Sequence, residues 1–132
     1  MHDVTICIGS NTEQRLHNIS MAVRQLEKLF CDSPLESSIY ECPSHTGNGA
    51  DYLNMVLSGY SELDYTVFQR RCKAIEHDAG RTVESKTTGI MPLDIDIVVW
   101  DGRIMRPYDY ERPHFQTGFT EISGLLQHTA EV

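Results

Sequence analysis

The stretch "LDIDIVVW", Leu93 to Trp100, alternates apolar residues with two carboxylates before it closes in an apolar run. Successive side chains of a strand point to opposite faces, so Leu93, Ile95, Ile97 and Val99 share one side of a sheet. Asp94 and Asp96 share the other. A sheet built around this strand is packed on one face and presents two acids on the other. Aspartate is a poor strand former, and two like charges this close repel unless water bathes them or a cation lies between. On the pair alone, a solvated strand face and a cation site stand equal.

The other elements follow from periodicity. Val4, Ile6 and Ile8 alternate with Thr5 and Cys7, predicting a strand over residues 3–8. Asn11 or Thr12 is placed to cap the helix that follows, with Gln14 three residues after Asn11. Leu16, Ile19, Val23, Leu26 and Phe30 recur at helical spacing. A second strand is expected around Ser37–Cys42, then an exposed loop through "PSHTGNGA". Leu53, Met55 and Leu57 alternate with Tyr52, Asn54 and Val56, a third strand. Asp64 can cap a second helix, with Phe68, Cys72, Ile75 and Ala79 on one face and Gly80 at its end. "RTVESKTTGIMP" reads as loop, "WDGR" as a tight turn, "RPYDYERPHFQTG" as irregular, and the tail from Thr120 as a short helix. The order β-α-β-β-α-β, in one domain over residues 1–132, predicts an α+β fold. It is the ferredoxin-like αβ sandwich, an antiparallel sheet with helices on one face and the acids on the other.

Composition narrows the partners. Hydrophobic residues at 40% and charged residues at 23% fit a globular domain rather than a disordered one. A formal net charge of −8 argues against sequence-independent nucleic-acid binding, which needs a basic face. No apolar run approaches the roughly 20 residues of a membrane span. "MHDVTICIGSN" reads as strand and turn rather than a signal peptide, and Cys7, Cys31, Cys42 and Cys72 form no C-x-x-C pair. A cytoplasmic, monomeric protein with reduced thiols is expected, acting on small molecules. Carboxylate oxygens suit Mg²⁺, which keeps waters and is commonly shared with substrate phosphates.

Taken in order, "IGSN", "YECP", "DYLNMV", "IEHDAGR", "LDIDIVVWDG" and "RPHF" followed by "GF" resemble the 6-hydroxymethyl-7,8-dihydropterin pyrophosphokinases of folate synthesis. The resemblance runs over nearly the whole chain. It implies the ferredoxin-like sandwich with its active site on the open sheet face, and a transfer of pyrophosphate from ATP to the hydroxymethyl oxygen of the dihydropterin, releasing AMP. It further implies that Asp94 and Asp96 hold two Mg²⁺ ions across the triphosphate. Tyr52 and Asn54 match the family's pterin pocket, Phe119 an aromatic packed on the ring, and Cys42-Pro43 a backbone contact to it. Lys73, Arg81, Ile97 and His114 match positions on the ATP side.

The departures carry expectations of their own. The family's loop before the acidic strand usually holds several arginines and a tryptophan. Here it keeps Arg81 and Lys86, while Thr87, Thr88 and Met91 stand where Arg, Trp and Arg are expected. The segment between His114 and Gly118 is short and lacks an arginine. Fewer guanidiniums predict weaker phosphate clamping and reduced turnover, with Lys73, Arg112 or Lys86 as substitutes. Two other readings use the same residues: a pterin- or nucleotide-binding module without catalysis, and another two-metal nucleotide enzyme on this fold. His45, His77 and His128 are assigned no role. Glu76 either faces solvent or orients the end of the second helix.

Overall fold

The structure is a computed structural model describing residues 1–43 and 50–131, with side chains as far as Leu125. Its sheet is organised around β1 (His2–Ser10), which pairs antiparallel with β4 (Tyr52–Ser61) on one side and with β5 (Asp94–Trp100) on the other. β2 (Leu35–Glu36) and β3 (Tyr40–Cys42) extend the β4 edge, and β6 (Arg103–Ile104) extends the β5 edge. The expected second strand is thus two short pieces. Ser37 explains the break: its amide donates to the Val56 carbonyl at 2.9 Å, and its hydroxyl accepts from the Val56 amide at 2.9 Å. A side chain stands in for the ladder where the backbone leaves it.

α1 (Arg15–Glu27) and α2 (Tyr65–Asp78) cover one face. Ile19, Ala22 and Leu26 from α1 and Phe68, Cys72 and Ile75 from α2 pack on Val4, Ile6, Ile8, Leu57 and Ile95. Burying a side chain of this size contributes about 1.5–3 kcal/mol, so this face supplies most of the apolar driving force. Asp64 caps α2 as expected, accepting from the Val67 amide at 3.0 Å. The expected Asn11 or Thr12 cap of α1 is not formed: the helix starts behind Gln14 without a side-chain cap. Asn11 is drawn elsewhere, its Oδ1 accepting from Met91 N at 2.5 Å and its Nδ2 donating to Gly89 O at 2.8 Å. Two bonds that fix a loop outweigh one cap.

Two segments read as loop or irregular contain helix. "RTVESKTTGIMP" folds one turn, α3 (Ser85–Thr88), closed by Gly89 at φ 76°. "RPYDYERPHFQTG" forms α4 (Pro107–Tyr110) and then α5 (Pro113–Glu131), so the helix expected from Thr120 begins earlier. Both prolines open helices, where a missing N–H costs nothing and the fixed φ is already helical. The turn at "WDGR" is present, with Asp101 and Gly102 both at positive φ. The "PSHTGNGA" loop lies, for residues 44–49, outside the described residues.

The strand register breaks once. Thr5 faces Val99 and Ile6 faces Ile97, leaving Val98 as an extra residue in β5. This bulge inverts the alternation, so Val99, expected on the helix face with Ile97, packs with Val98 on the opposite side. There α5 closes a second cluster of Cys7, Val56, Val98, Phe115 and Ile122. The face opposite α1 and α2 is therefore covered over one part and open where Tyr52, Asn54, Asp94 and Asp96 stand. Among the described residues, no helix is long and apolar enough to cross a membrane.

Candidate active site

Gly9 opens the site. It faces Asn54 across β4 and Asp94 across β5, bringing three strands' functional positions into one row. A Cβ at Gly9 would fall 2.9 Å from Asn54 Oδ1 and 3.4 Å from Tyr52 Cδ1, so a larger residue would fill the space these side chains border.

Two cavities meet on this row. The first, about 330 Å³, has Cys42, Pro43, Tyr52 and Asn54 on one wall and Tyr108, Arg112 and His114 among those opposite. The second, about 220 Å³, is bordered by Lys73, Arg81, Lys86 and Arg106. Asp94 and Asp96 line both. The acidic pair is the shared wall between an apolar, aromatic chamber and a cationic one.

Each aspartate has an arginine beside it. Arg81 Nη1 reaches Asp94 Oδ1 at 3.0 Å and Glu76 Oε2 at 2.7 Å, and Arg106 Nε stands 3.5 Å from Asp96 Oδ1. Arg106 Nε also contacts Asp109 Oδ2 at 2.6 Å, and Asp109 Oδ1 meets His114 Nε2 at 2.9 Å. Even so, burial first and the Asp94 charge second push the Asp96 carboxyl up to about 8. Two arginines do not satisfy this pair, and a hard cation would. Among the described residues, no group of three or more His, Cys, Asp and Glu side chains could hold a metal alone. The donor set suits an ion that completes its shell with water and phosphate oxygens.

Asn54 is nearly inaccessible and stands beside the Cys42 thiol, yet its Nδ2 makes no well-aligned hydrogen bond among the described residues. A buried donor left unpaired costs about 1–3 kcal/mol, which a ligand acceptor in the first cavity would recover. Burial pushes the Cys42 thiol up and the Cys72 thiol up to about 12, so both are neutral apolar groups at neutral pH.

The structure brings Cys42, Pro43, Tyr52 and Asn54 together on one cavity, and Lys73, Arg81 and Ile97 on the other. Two residues lie elsewhere than expected. His114, expected on the ATP side, borders the first cavity, because α5 starts at Pro113 and its first turn sits over Cys7. Phe119, expected on the pterin ring, stacks on Phe115 at 5.0 Å and packs in the second core cluster, not on the cavity wall. Glu76 is buried and orienting, not solvated. Sequence reasoning missed Arg106, Tyr108 and Asp109 as cavity residues. Their one signal was the density of Arg, Tyr and Asp in a segment without periodicity.

Residues 5–123 match the family model of 7,8-dihydro-6-hydroxymethylpterin-pyrophosphokinase. The chain is 26% identical over 131 residues to a folate synthesis bifunctional protein of Arabidopsis thaliana, covering 92% of this chain and 27% of that protein. It is 30% identical over 131 residues to a mitochondrial folate synthesis bifunctional protein of Pisum sativum, covering 92% and 25%. A folic acid synthesis protein of Dictyostelium discoideum is 31% identical over 112 residues, covering 84% and 17%. The chain thus spans about a quarter or less of the length of these relatives.

Proposed function

The chain belongs to the 7,8-dihydro-6-hydroxymethylpterin-pyrophosphokinase family, and on that premise we propose that it transfers pyrophosphate from ATP to 6-hydroxymethyl-7,8-dihydropterin in folate biosynthesis. The observation that carries this reading is the placement of Asp94 and Asp96 on both cavities at once. The cationic cavity takes the triphosphate and the apolar one the pterin, so the hydroxymethyl oxygen meets the β-phosphorus above the acidic pair. The new oxygen–phosphorus bond forms as the bond from the β-phosphorus to the AMP oxygen breaks, with loss of the hydroxyl proton.

The chain's own residues position and compensate. Tyr52 walls the pterin chamber while Asn54 offers its unpaired Nδ2 to the ring edge, beside Cys42 and Pro43. Lys73 and Arg81 supply positive charge along the phosphate tail, with Ile97 beneath. Asp94 and Asp96 would hold Mg²⁺, two ions being expected, which when bound neutralises charge on the phosphates. His114 acts at one remove, through Asp109 and Arg106.

The test is AMP formation from ATP, Mg²⁺ and the dihydropterin. We expect AMP only when all three are present, and a loss of about a thousandfold or more in Asp96→Asn with its fold retained. Nucleotide consumption without pterin would point to a different nucleotide enzyme. Pterin binding without AMP would make the chain a binding module.

A further inference from the structure

We propose that Arg106 is the phosphate clamp of the nucleotide cavity, parked against Asp96 until a triphosphate arrives. This rests on the reading of the second cavity as the nucleotide site. Of the two arginines lining that cavity, Arg81 is committed: its Nη1 serves Glu76, Asp94 and the Leu93 carbonyl, and its side chain is 18% exposed. Arg106 is differently placed. Its side chain is 50% exposed, and both of its ionic contacts run through Nε. Among the described residues, no hydrogen bond uses its Nη groups. A guanidinium with one edge tethered and its fork unused is suited to grip a phosphate bidentately, which the point charges of Lys73 and Lys86 cannot do.

The two ionic contacts of Arg106 are unequal. Asp109 holds Nε at 2.6 Å and is itself fixed by His114, whereas Asp96 lies 3.5 Å away. A cation carried in with the nucleotide competes for Asp96 and not for Asp109. Arg106 then keeps its tether, loses its weaker contact, and turns its fork to the phosphates. The same side chain balances the acidic pair in the free protein and grips the ligand in the complex. It offsets the loss of cations at Thr87 and Met91 from a different segment of the chain.

The test is calorimetric titration of wild type and Arg106→Gln with three probes: α,β-methylene ATP with Mg²⁺, AMP, and the dihydropterin. We expect the triphosphate analogue to bind about 10- to 100-fold more weakly to the variant, and AMP and pterin to bind as they do to wild type. Manganese binding without nucleotide, read by electron paramagnetic resonance, should move the opposite way and tighten, because Asp96 has lost its internal partner. Arg106→Lys should keep metal binding near wild type and recover only part of the analogue affinity. Equal analogue affinity in wild type and Arg106→Gln, or parallel losses for AMP and analogue, overturns the clamp and leaves the function intact. Failure of wild type to bind the analogue overturns both.

Discussion

Glu76 Oε2 accepts a hydrogen bond from the Ile95 amide at 2.7 Å, on the one residue that separates the two aspartates. The same oxygen takes Arg81 Nη1 at 2.7 Å. One buried carboxylate thus fastens the end of α2 to β5 and aims the arginine at Asp94. Replacing it by alanine leaves the buried Ile95 amide without its acceptor and strips Arg81 of one of its two carboxylate partners, at a cost of about 2–4 kcal/mol. Urea unfolding should show a lower midpoint at unchanged slope. Glu76→Gln retains an oxygen for Ile95 and should lose clearly less; equal losses would mean that the aligning role is absent.

Asn54→Leu should separate binding from stability. The amide nitrogen is buried without a bond of its own, so an apolar residue of similar volume removes a standing penalty. The melting temperature should hold or rise, while the KM for the dihydropterin rises about 10- to 100-fold. A drop in melting temperature with pterin KM unchanged would show that the orphan donor has no ligand to serve.

Asp109 is held below the usual carboxylate range, chiefly by its hydrogen bond from His114, against burial, with Arg106 adding to the lowering. A depressed folded-state pKa contributes stability above the unfolded value of about 4, and that contribution is lost as pH falls through the folded value. Asp109→Asn should therefore cost about 1 kcal/mol at pH 7, after allowance for solvent screening. The gap between variant and wild type should close in a series of thermal melts as the pH falls below the usual carboxylate range. A gap that persists there would mean packing, not charge, made the difference.

Gly118→Ala tests how α5 covers the second face. A Cβ there would stand 2.7 Å from Val56 Cγ2, 2.8 Å from Tyr40 Oη and 2.9 Å from Ser37 Oγ. Two strands and a helix cannot yield together, so overpacking should cost about 1–3 kcal/mol. Differential scanning calorimetry should show a fall of several degrees in Tm. An unchanged Tm would mean that the helix slides without loss.

The periodic parts were legible. Alternation in β1, β4 and β5, the Asp64 cap and the 3.6-residue spacing in α2 are local signals, and they place the first core without reference to any distant residue. The family motifs lie on those same elements, which is why Tyr52, Asn54, Asp94 and Asp96 emerge on one row. Asn11 was misread because the local rule for caps ignores a loop eighty residues on that offers two better bonds. Phe119 packs on Phe115 in the second cluster, a placement set by how α5 docks on the sheet and not by any local spacing.

By itself the sequence determined the sheet, the two covering helices and the side on which the acids stand, since each depends on spacing along one segment. Only the tertiary structure decided that Glu76 steers Arg81, that Arg106 faces Asp96, and that one acidic pair divides two chambers. Those relations cross from one element or loop to another through burial and charge, and nothing in local propensity encodes which side chain of a neighbouring element a residue will meet.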